Sequence, residues 1–319
     1  MHFAIITNMQ IKENVELAPY TTFKVGGPAR FFAEVKSEED LIGALDFAKQ
    51  NQARVFFLSG GSNVLFSDEG FDGLVILNKI ASKINFRKSF WRNIVSADAG
   101  IELKRFLEFL QMAGLSGYEK LYGVPGSLSG AIRGNAGAFG VEIKDHLLSV
   151  RALNTQTLER KVFKKKELNF AYRHSFFKEN PEWFVLSADF ALKASDAEEI
   201  KSKMEKILQE REKRQLQNIK SVGSFFKNPK APKEVQELFE KEKGVAAREG
   251  RVPAGWLIEK VGLKGKRLAY ARVSDSSANY LINDGFAKSK DILELAELVK
   301  SEVKEKFGIL LEEEVHVVR

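Results

Sequence analysis

The chain has 319 residues, of which 44% are hydrophobic and 29% charged, with no cysteine. This composition is typical of a globular protein with two or three domains, and it excludes disulfides, cysteine nucleophiles and iron–sulfur clusters. The net charge is +7, from 50 Lys and Arg against 43 Asp and Glu. Because the basic residues alternate with acidic ones rather than with stacking aromatics, we expect an anionic small-molecule ligand and no nucleic acid.

Membrane and metal sites are not expected. The sequence has no run of about twenty apolar residues, and its first residues, MHFAIITNMQIKENVE, lack the basic start of a signal peptide. The four histidines are scattered: His2, His146, His174 and His316. We therefore expect a cytoplasmic protein without a structural metal.

The first part of the chain predicts alternating helices and strands. A helix over 37–50 begins at Ser37 and has four apolar residues on one face: Leu41, Ala44, Leu45 and Ala48. Strands are predicted over RVFFLSGG at 54–61, where the strand runs into the glycine turn, and at 73–77 and 93–100. The helix at 101–115 has Leu103, Phe106, Leu107 and Leu110 at helical spacing, and Gly114 ends it. Such mixing favours an α+β or α/β protein.

Residues 117–140 have a different character, with seven glycines and little helical or alternating pattern. We expect an irregular functional segment here rather than a core element. Beyond it, strands are predicted at 150–153, 161–163 and 183–192, and a charged surface helix at 196–216. The clearest late helix is DILELAELVKSEVKEKF, and the closing strand is EEEVHVVR.

Two segments combine many backbone N–H groups with small side chains: SGGSN at 59–63 and VPGSLSGAIRGNAGAFG at 124–140. A diphosphate favours such surroundings, because N–H groups can converge on its oxygens. Neither segment matches G-x-G-x-x-G or the P-loop pattern. Each alone is equally well explained as a turn, but together they favour ligand binding.

Seven motifs occur in the order seen in the UDP-N-acetylenolpyruvoylglucosamine reductase (MurB) family: TTFKVGGPARFF, GGSNVLFSDEGFDGLVI, GVPGSLSGAIRGNAGAFG, LNFAYRHSFFK, GSFFKNP, AGWLIEKVGLKG and LLEEEVHVV. The resemblance runs from about residue 14 to residue 319. It implies an α+β protein with a two-part FAD-binding region of the vanillyl-alcohol-oxidase (PCMH) type and a C-terminal α/β substrate-binding domain. We place the FAD-binding subdomains at 1–72 and 73–216 and the substrate-binding domain at 217–319, with the last strand as a candidate to return to the first subdomain.

The same resemblance implies that the two glycine-rich segments bind FAD without a covalent bond. The residues that match are Ser59, Gly60, Gly61, Ser62, Asn63, Pro125, Gly126, Ser127, Gly130, Asn135, Gly137 and Ala138. Asn135 and Ser127 are expected to add side-chain hydrogen bonds to the backbone cradle.

The family resemblance also implies the reaction, which reduces UDP-N-acetylglucosamine enolpyruvate to UDP-N-acetylmuramate in bacterial peptidoglycan synthesis. NADPH reduces the flavin from the pocket that the substrate later uses. Arg173 matches the arginine that stabilises the enolate, together with Glu314, and Ser224 matches the serine that gives the proton. A planar guanidinium can bind a carboxylate and stabilise the negative charge that spreads onto it. A serine hydroxyl is a weak acid, so a neighbouring group must assist it in giving up a proton.

Three adjacent glutamates make the register of Glu314 important. In an extended strand, Glu312 shares a face with Glu314 whereas Glu313 faces away, so Glu312 is the close competitor. Without the resemblance, a charged edge strand would explain the three residues better.

Tyr172, Lys227 and Asn228 lie beside the catalytic positions in sequence and are expected to contact the substrate. The stretch between Arg173 and Ser224 is short and has no tyrosine, so the chain resembles the family branch without a tyrosine-bearing lid. Residues 230–252 form a longer connection, either a surface helix or a partial cover of the pocket. We expect a monomer.

Three other functions remain open at this point. Another flavoprotein oxidase of the same fold is one, although such enzymes commonly anchor flavin through His or Cys, and neither glycine-rich segment contains one. A non-catalytic nucleotide-binding protein is the second, and the presence of all three catalytic residues disfavours it. A nucleic-acid binder rests on bulk charge alone.

Overall fold

The computed structural model describes residues 9–88, 92–213 and 219–319. They form two compact units. The first comprises the described residues up to Val15 with Ala29–Gly60 and Asp72–Arg211, and the second comprises Glu16–Pro28, Gly61–Phe71 and the described residues from Glu212 to Arg319. The division into domains at 1–72, 73–216 and 217–319 stays a prediction, and its boundary at 216/217 lies outside the described residues.

The strands, in chain order, are β1 Ile11–Glu16, β2 Pro28–Val35, β3 Arg54–Leu58, β4 Val64–Phe66, β5 Phe71–Asn78, β6 Ile84–Lys88, β7 Asn93–Asp98, β8 Leu115–Ser116, β9 Gly137–Ala138, β10 Val141–Glu142, β11 Leu147–Asn154, β12 Arg160–Lys164, β13 Trp183–Ala194, β14 Arg267–Leu268, β15 Ala271–Val273, β16 Leu281–Asn283 and β17 His316–Val318. The α-helices are α1 Glu38–Gln50, α2 Leu103–Met112, α3 Leu128–Arg133, α4 Phe176–Glu179, α5 Ala197–Lys213, α6 Lys233–Lys243, α7 Ala254–Lys260 and α8 Ser289–Phe307.

The first unit contains a four-stranded sheet with the order β1-β2-β5-β3, covered by helix α1. Ser37 begins this helix as predicted, since its hydroxyl accepts a hydrogen bond from the N–H of Asp40 at 3.1 Å. Leu41, Ala44 and Ala48 are buried, whereas the fourth predicted residue, Leu45, is only partly buried.

The same unit contains a six-stranded antiparallel sheet, in which β12-β11-β13-β7-β6 follow one another and β8 pairs with β13. Helix α2 packs on its core through the four residues predicted from their spacing. Its apolar face is continuous because residues three and four apart share one side of a helix.

The expectation that residues 117–140 contribute no core element is wrong. Helix α3 lies within them, and its residues Leu128 and Ile132 have no exposed surface. The spacing of Leu128, Ala131 and Ile132 gives this short helix an apolar face, which the surrounding glycines obscured in the sequence.

The second unit is built around α7 and α8 and a three-stranded antiparallel sheet with the order β14-β15-β16. The last strand, β17, pairs in parallel with β4, so that His316 lies opposite Val64. Helix α6 occupies part of the 230–252 connection and buries only Phe239. Of the helices in the described residues, none combines the length and apolar character needed to cross a bilayer.

Glu38, in the first turn of α1, connects this helix to two strands of the larger sheet. Its carboxylate forms ion pairs with Arg151 of β11, at 3.1 Å, and with Arg160 of β12. The Glu38 side chain is only 17% exposed. Two charge-assisted hydrogen bonds to one sheltered carboxylate are worth more than an exposed pair.

We predict that Glu38→Ala lowers the free energy of unfolding by about 1 kcal/mol, because both arginines lose their partner. Asp46→Ala, an exposed acidic residue of the same helix, is the control for helix propensity and net charge. Urea denaturation of the two variants makes the comparison, and equal losses would show that the ion pairs contribute nothing.

Candidate active site

The two glycine-rich turns of the first unit meet at Gly60 and Gly126. A Cβ on Gly60 would overlap the Cα of Gly126 and would lie 2.8 Å from the amide nitrogen of Ser127. Gly126 itself has a φ of 115°, which side chains rarely permit. The backbones therefore approach each other more closely than any larger residue allows.

Three serine hydroxyls connect the same two turns. Ser59 donates to Ser127 at 2.5 Å, Ser129 donates to Ser59 at 3.1 Å, and Ser127 and Ser129 are 3.1 Å apart. Ser127 also begins helix α3 by accepting a hydrogen bond from the N–H of Gly130 at 3.3 Å. Ser129 was not among the predicted cofactor residues.

Asn135, predicted to bind the cofactor with its side chain, uses that side chain within the protein. The residue is fully buried, and its amide nitrogen donates to the carbonyl of Ala171 at 2.9 Å and to Glu142 at 3.2 Å. Its amide oxygen accepts from the N–H of Lys144 at 3.2 Å. Asn135 therefore connects the second glycine-rich segment to the chain at 142–144 and to Ala171.

Arg173 lies beside this segment in a left-handed backbone conformation with a φ of 55°. Its guanidinium donates to the carbonyl of Gly137 at 3.1 Å and lies 5.2 Å from the centre of the Tyr172 ring. A Cβ on Gly137 would come within 2.9 Å of Glu142 and 3.3 Å of the Arg173 guanidinium. Gly137 thus leaves room for Arg173, and a non-glycine residue held at positive φ is a feature that clusters at functional sites.

The predicted residues 61–63 belong to the second unit. Gly61 has a φ of 58°, and its carbonyl accepts a hydrogen bond from the N–H of Thr22 at 3.0 Å. The Asn63 side chain donates to the carbonyl of Glu314 at 3.0 Å. Ser62 is half-buried between them. Asn63 therefore supports the chain that carries a predicted catalytic carboxylate.

Ser224 and Glu314 lie on paired segments of the second unit. Phe226 is opposite Glu313 in an antiparallel bridge. The N–H of Glu314 donates to the carbonyl of Phe225 at 2.8 Å, and the N–H of Lys227 donates to the carbonyl of Glu312 at 2.9 Å. Because paired strands are about 5 Å apart, this pairing brings the backbones at Ser224 and Glu314 close together.

The two glutamates before Glu314 form ion pairs with different lysines. Glu312 lies 2.9 Å from Lys227, and Glu313 lies 2.8 Å from Lys300 of α8. Partial burial alone would raise the pKa of the Glu313 carboxyl, but the hydrogen bond from Lys300, a backbone hydrogen bond and the charges of Lys300 and Lys227 together outweigh it and hold that pKa below its ordinary value. The ionised carboxylate of Glu313 is thus bound to Lys300 of α8. The side chain of Glu312 is largely exposed.

The predicted substrate contacts Lys227 and Asn228 also have partners within the second unit. Besides the ion pair of Lys227, the side-chain oxygen of Asn228 accepts from the N–H of Ala254 at 3.0 Å. This hydrogen bond satisfies an N–H in the first turn of α7, where helices leave such groups unpaired. Asn228 therefore fixes the start of that helix.

Comparison with known proteins first defines a class. Residues 29–157 match the family model described as "FAD binding domain", so the chain is a flavin-binding protein, and the predicted cofactor is confirmed. Residues 214–318 match the model described as "UDP-N-acetylenolpyruvoylglucosamine reductase, C-terminal domain". The two matches confirm the predicted fold class.

Relatives along the whole chain then define the family. A UDP-N-acetylenolpyruvoylglucosamine reductase from Solibacter usitatus is 35% identical and covers 100% of both chains, and one from Protochlamydia amoebophila is 38% identical over 97% of this chain and 94% of its own. The crystal structure of the reductase from Thermus caldophilus superposes with a TM-score of 0.77 at 32% identity, covering 98% of this chain and 100% of its own. The chain belongs to the UDP-N-acetylenolpyruvoylglucosamine reductase family.

The glycine turns of the first unit fit FAD. Gly60 and Gly126 leave the backbone of both turns without side chains, and three serine hydroxyls lie beside them, which suits a diphosphate. Which of the predicted residues contact FAD stays a prediction.

We predict that Gly60→Ala abolishes retention of FAD, because its Cβ has no space beside Gly126. Gly134→Ala is the control in the same segment, since a Cβ there would lie 3.4 Å from its nearest neighbour. The ratio of flavin to protein absorbance after gel filtration measures retention. A Gly60→Ala protein with a full complement of FAD would contradict the predicted close approach.

Proposed function

We propose that this protein reduces UDP-N-acetylglucosamine enolpyruvate to UDP-N-acetylmuramate, using bound FAD and NADPH, in the cytoplasm and as a step of peptidoglycan synthesis. Its membership of the reductase family supports this reaction. The observation that carries the assignment of roles is the pairing of Phe226 with Glu313, which brings Ser224 and Glu314 to neighbouring segments.

Arg173 is proposed to bind the carboxylate of the enolpyruvyl group. FAD, when bound and reduced, supplies a hydride to the terminal vinyl carbon of this group, and negative charge then develops towards the carboxylate. The guanidinium is already oriented by the carbonyl of Gly137 and the ring of Tyr172. Because the guanidinium is already oriented, it can stabilise the developing negative charge without a free-energy cost for its own reorientation.

Ser224 is proposed to give a proton to the other carbon of the double bond. A hydroxyl is a weak acid, so the nearby Glu314 is proposed to orient the hydroxyl and to stabilise the charge distribution around it. Its match to the family motif, directly before Val315, supports this choice among the three glutamates.

Lys227, Tyr172 and Asn228 are proposed to contact the substrate. The ammonium group of Lys227 can neutralise a phosphate charge. Its present partner, Glu312, has a side chain that is 73% exposed. Because exposed ion pairs are weak, a diphosphate can replace this carboxylate at small cost.

The reaction is tested by a spectroscopic cycle on the purified, flavin-loaded protein. NADPH should bleach the flavin absorbance, and UDP-N-acetylglucosamine enolpyruvate should restore it under anaerobic conditions. If oxygen alone restored it at a comparable rate, an oxidase would be the better assignment. A protein without flavin and without this cycle would overturn the proposed function.

We predict that Ser224→Ala slows reoxidation of the flavin by the substrate by about 10²-fold or more, because a positioned proton donor contributes at least that much. Reduction of the flavin by NADPH should be unchanged, since it needs no proton from this residue. Stopped-flow absorbance separates the two half-reactions. Equal losses in both would contradict the role of Ser224 as the acid.

We predict that Glu314→Gln lowers kcat, by about 10²-fold on the scale of general acid–base effects, whereas Glu312→Gln acts on KM alone. The second variant leaves the Ser224 segment in place and changes only the partner of Lys227. Steady-state kinetics of both variants provide the comparison. A larger kcat effect at Glu312 would transfer the catalytic role to that residue.

A further inference from the structure

We propose that Asn279 is a positioning residue, whose side-chain amide holds the backbone of Phe226 and thereby keeps Ser224 and Glu314 in register. The inference rests on the proposed roles of those two residues. No pattern in the sequence around Asn279, VSDSSANYLIN at 273–283, indicates this role.

The contact consists of two hydrogen bonds between one side chain and one residue's backbone. The amide nitrogen of Asn279 donates to the carbonyl of Phe226 at 2.8 Å, and the N–H of Phe226 donates to the amide oxygen of Asn279 at 3.0 Å. Asn279 is 7% exposed and Phe226 is 1% exposed. Both hydrogen bonds are therefore sheltered from water.

The geometry of the bridge explains why Phe226 needs a partner on this side. The hydrogen bonds on either side of the bridge join Glu314 to Phe225 and Lys227 to Glu312. Phe226 and Glu313 therefore form a non-hydrogen-bonded pair, in which the N–H and C=O of Phe226 point away from Glu313. The amide of Asn279 meets both groups there.

A side chain is needed because the neighbouring backbone turns away at this point. Ser224 is bridged to Tyr280, and the N–H of Phe225 donates to the carbonyl of Asn279 at 2.8 Å. Before Asn279 the chain forms a turn, in which the N–H of Tyr280 donates to the carbonyl of Ser277 at 2.8 Å. The Asn279 side chain thus continues a pairing that its own backbone cannot extend.

Loss of the amide would leave both backbone groups of Phe226 buried without partners. Such groups are costly, and the segment would shift to find new ones. Phe225 follows Ser224 directly and accepts the hydrogen bond from Glu314, so a shift reaches both proposed catalytic residues. A displacement of about 1 Å is enough to slow a reaction about 10²-fold.

Asn283 provides a matched control, because it is an equally buried asparagine four residues further on. Its amide oxygen accepts from the N–H groups of Gly285 and Ala287 at 2.8 Å and 3.0 Å, and its nitrogen donates to the carbonyl of Phe23 at 3.0 Å. These partners lie outside the segments that carry Ser224 and Glu314. Asn283→Ala therefore removes buried hydrogen bonds from the same unit without releasing Phe226.

The kinetic test compares Asn279→Ala with Asn283→Ala in the flavin-loaded protein. Asn279→Ala should slow reoxidation of the flavin by UDP-N-acetylglucosamine enolpyruvate by about 10²-fold and leave reduction by NADPH unchanged. Asn283→Ala should not slow reoxidation by the substrate selectively over reduction by NADPH. Equal slowing of both half-reactions by Asn279→Ala, or the same selective slowing in the control, would overturn the positioning role.

Amide hydrogen exchange supplies a readout that does not depend on turnover. The N–H of Phe226 should exchange faster in Asn279→Ala and at its original rate in Asn283→Ala. If Asn279→Ala does not fold, Asn279→Leu keeps a side chain of similar size but removes both the donor and the acceptor, and the same two effects are expected. An unchanged exchange rate of the Phe226 N–H would overturn the proposed role of Asn279 in holding this backbone. A different result would separate this inference from the proposed function. If the N–H of Phe226 exchanged faster in Asn279→Ala but the unsubstituted protein showed no flavin reduction and reoxidation, the hydrogen bonds of Asn279 would stand. The proposed function, and with it the effect of Asn279 on catalysis, would be overturned.

Discussion

The non-hydrogen-bonded pairing of Phe226 with Glu313 is the constraint on which the second unit's candidate site depends. It directs the backbone groups of Phe226 away from Glu313 and towards Asn279. It also lets Glu314 donate to Phe225, the residue directly after Ser224. Two residues far apart in the chain are therefore brought together by backbone geometry, and their side chains need no contact of their own to remain neighbours.

In the first unit, the corresponding constraint is the absence of side chains. Gly60 and Gly126 approach too closely for a Cβ, and Gly137 leaves the space that the Arg173 guanidinium uses. The serine hydroxyls and the buried amide of Asn135 then hold these turns in place from within the protein. The glycines therefore determine how closely the backbone segments approach, and the serine and asparagine side chains hold these segments in place by hydrogen bonds.

Patterns within one element could be predicted from the sequence. The capping serine and apolar spacing of α1, and the four buried residues of α2, follow from local rules. Helix α3 could not be predicted as readily, because its glycine-rich surroundings outweigh a short apolar face. The partners of Asn279, and the lysines that engage Glu312 and Glu313, depend on contacts between distant segments, and residue spacing contains no information about them. Asn135 shows the same limit: the family resemblance implied a cofactor contact, which stays a prediction, and residue spacing did not reveal that its side chain donates to the carbonyl of Ala171.

The central claim is that Ser224 and Glu314 act as one unit, and a double-mutant cycle on the rate of flavin reoxidation by the substrate tests it most directly. The cycle compares Ser224→Ala, Glu314→Gln and the double variant. Residues that act together lose little more in combination than singly, so the double variant should be about as slow as the slower single variant. Losses that multiply would show that the two residues act independently and would contradict the account.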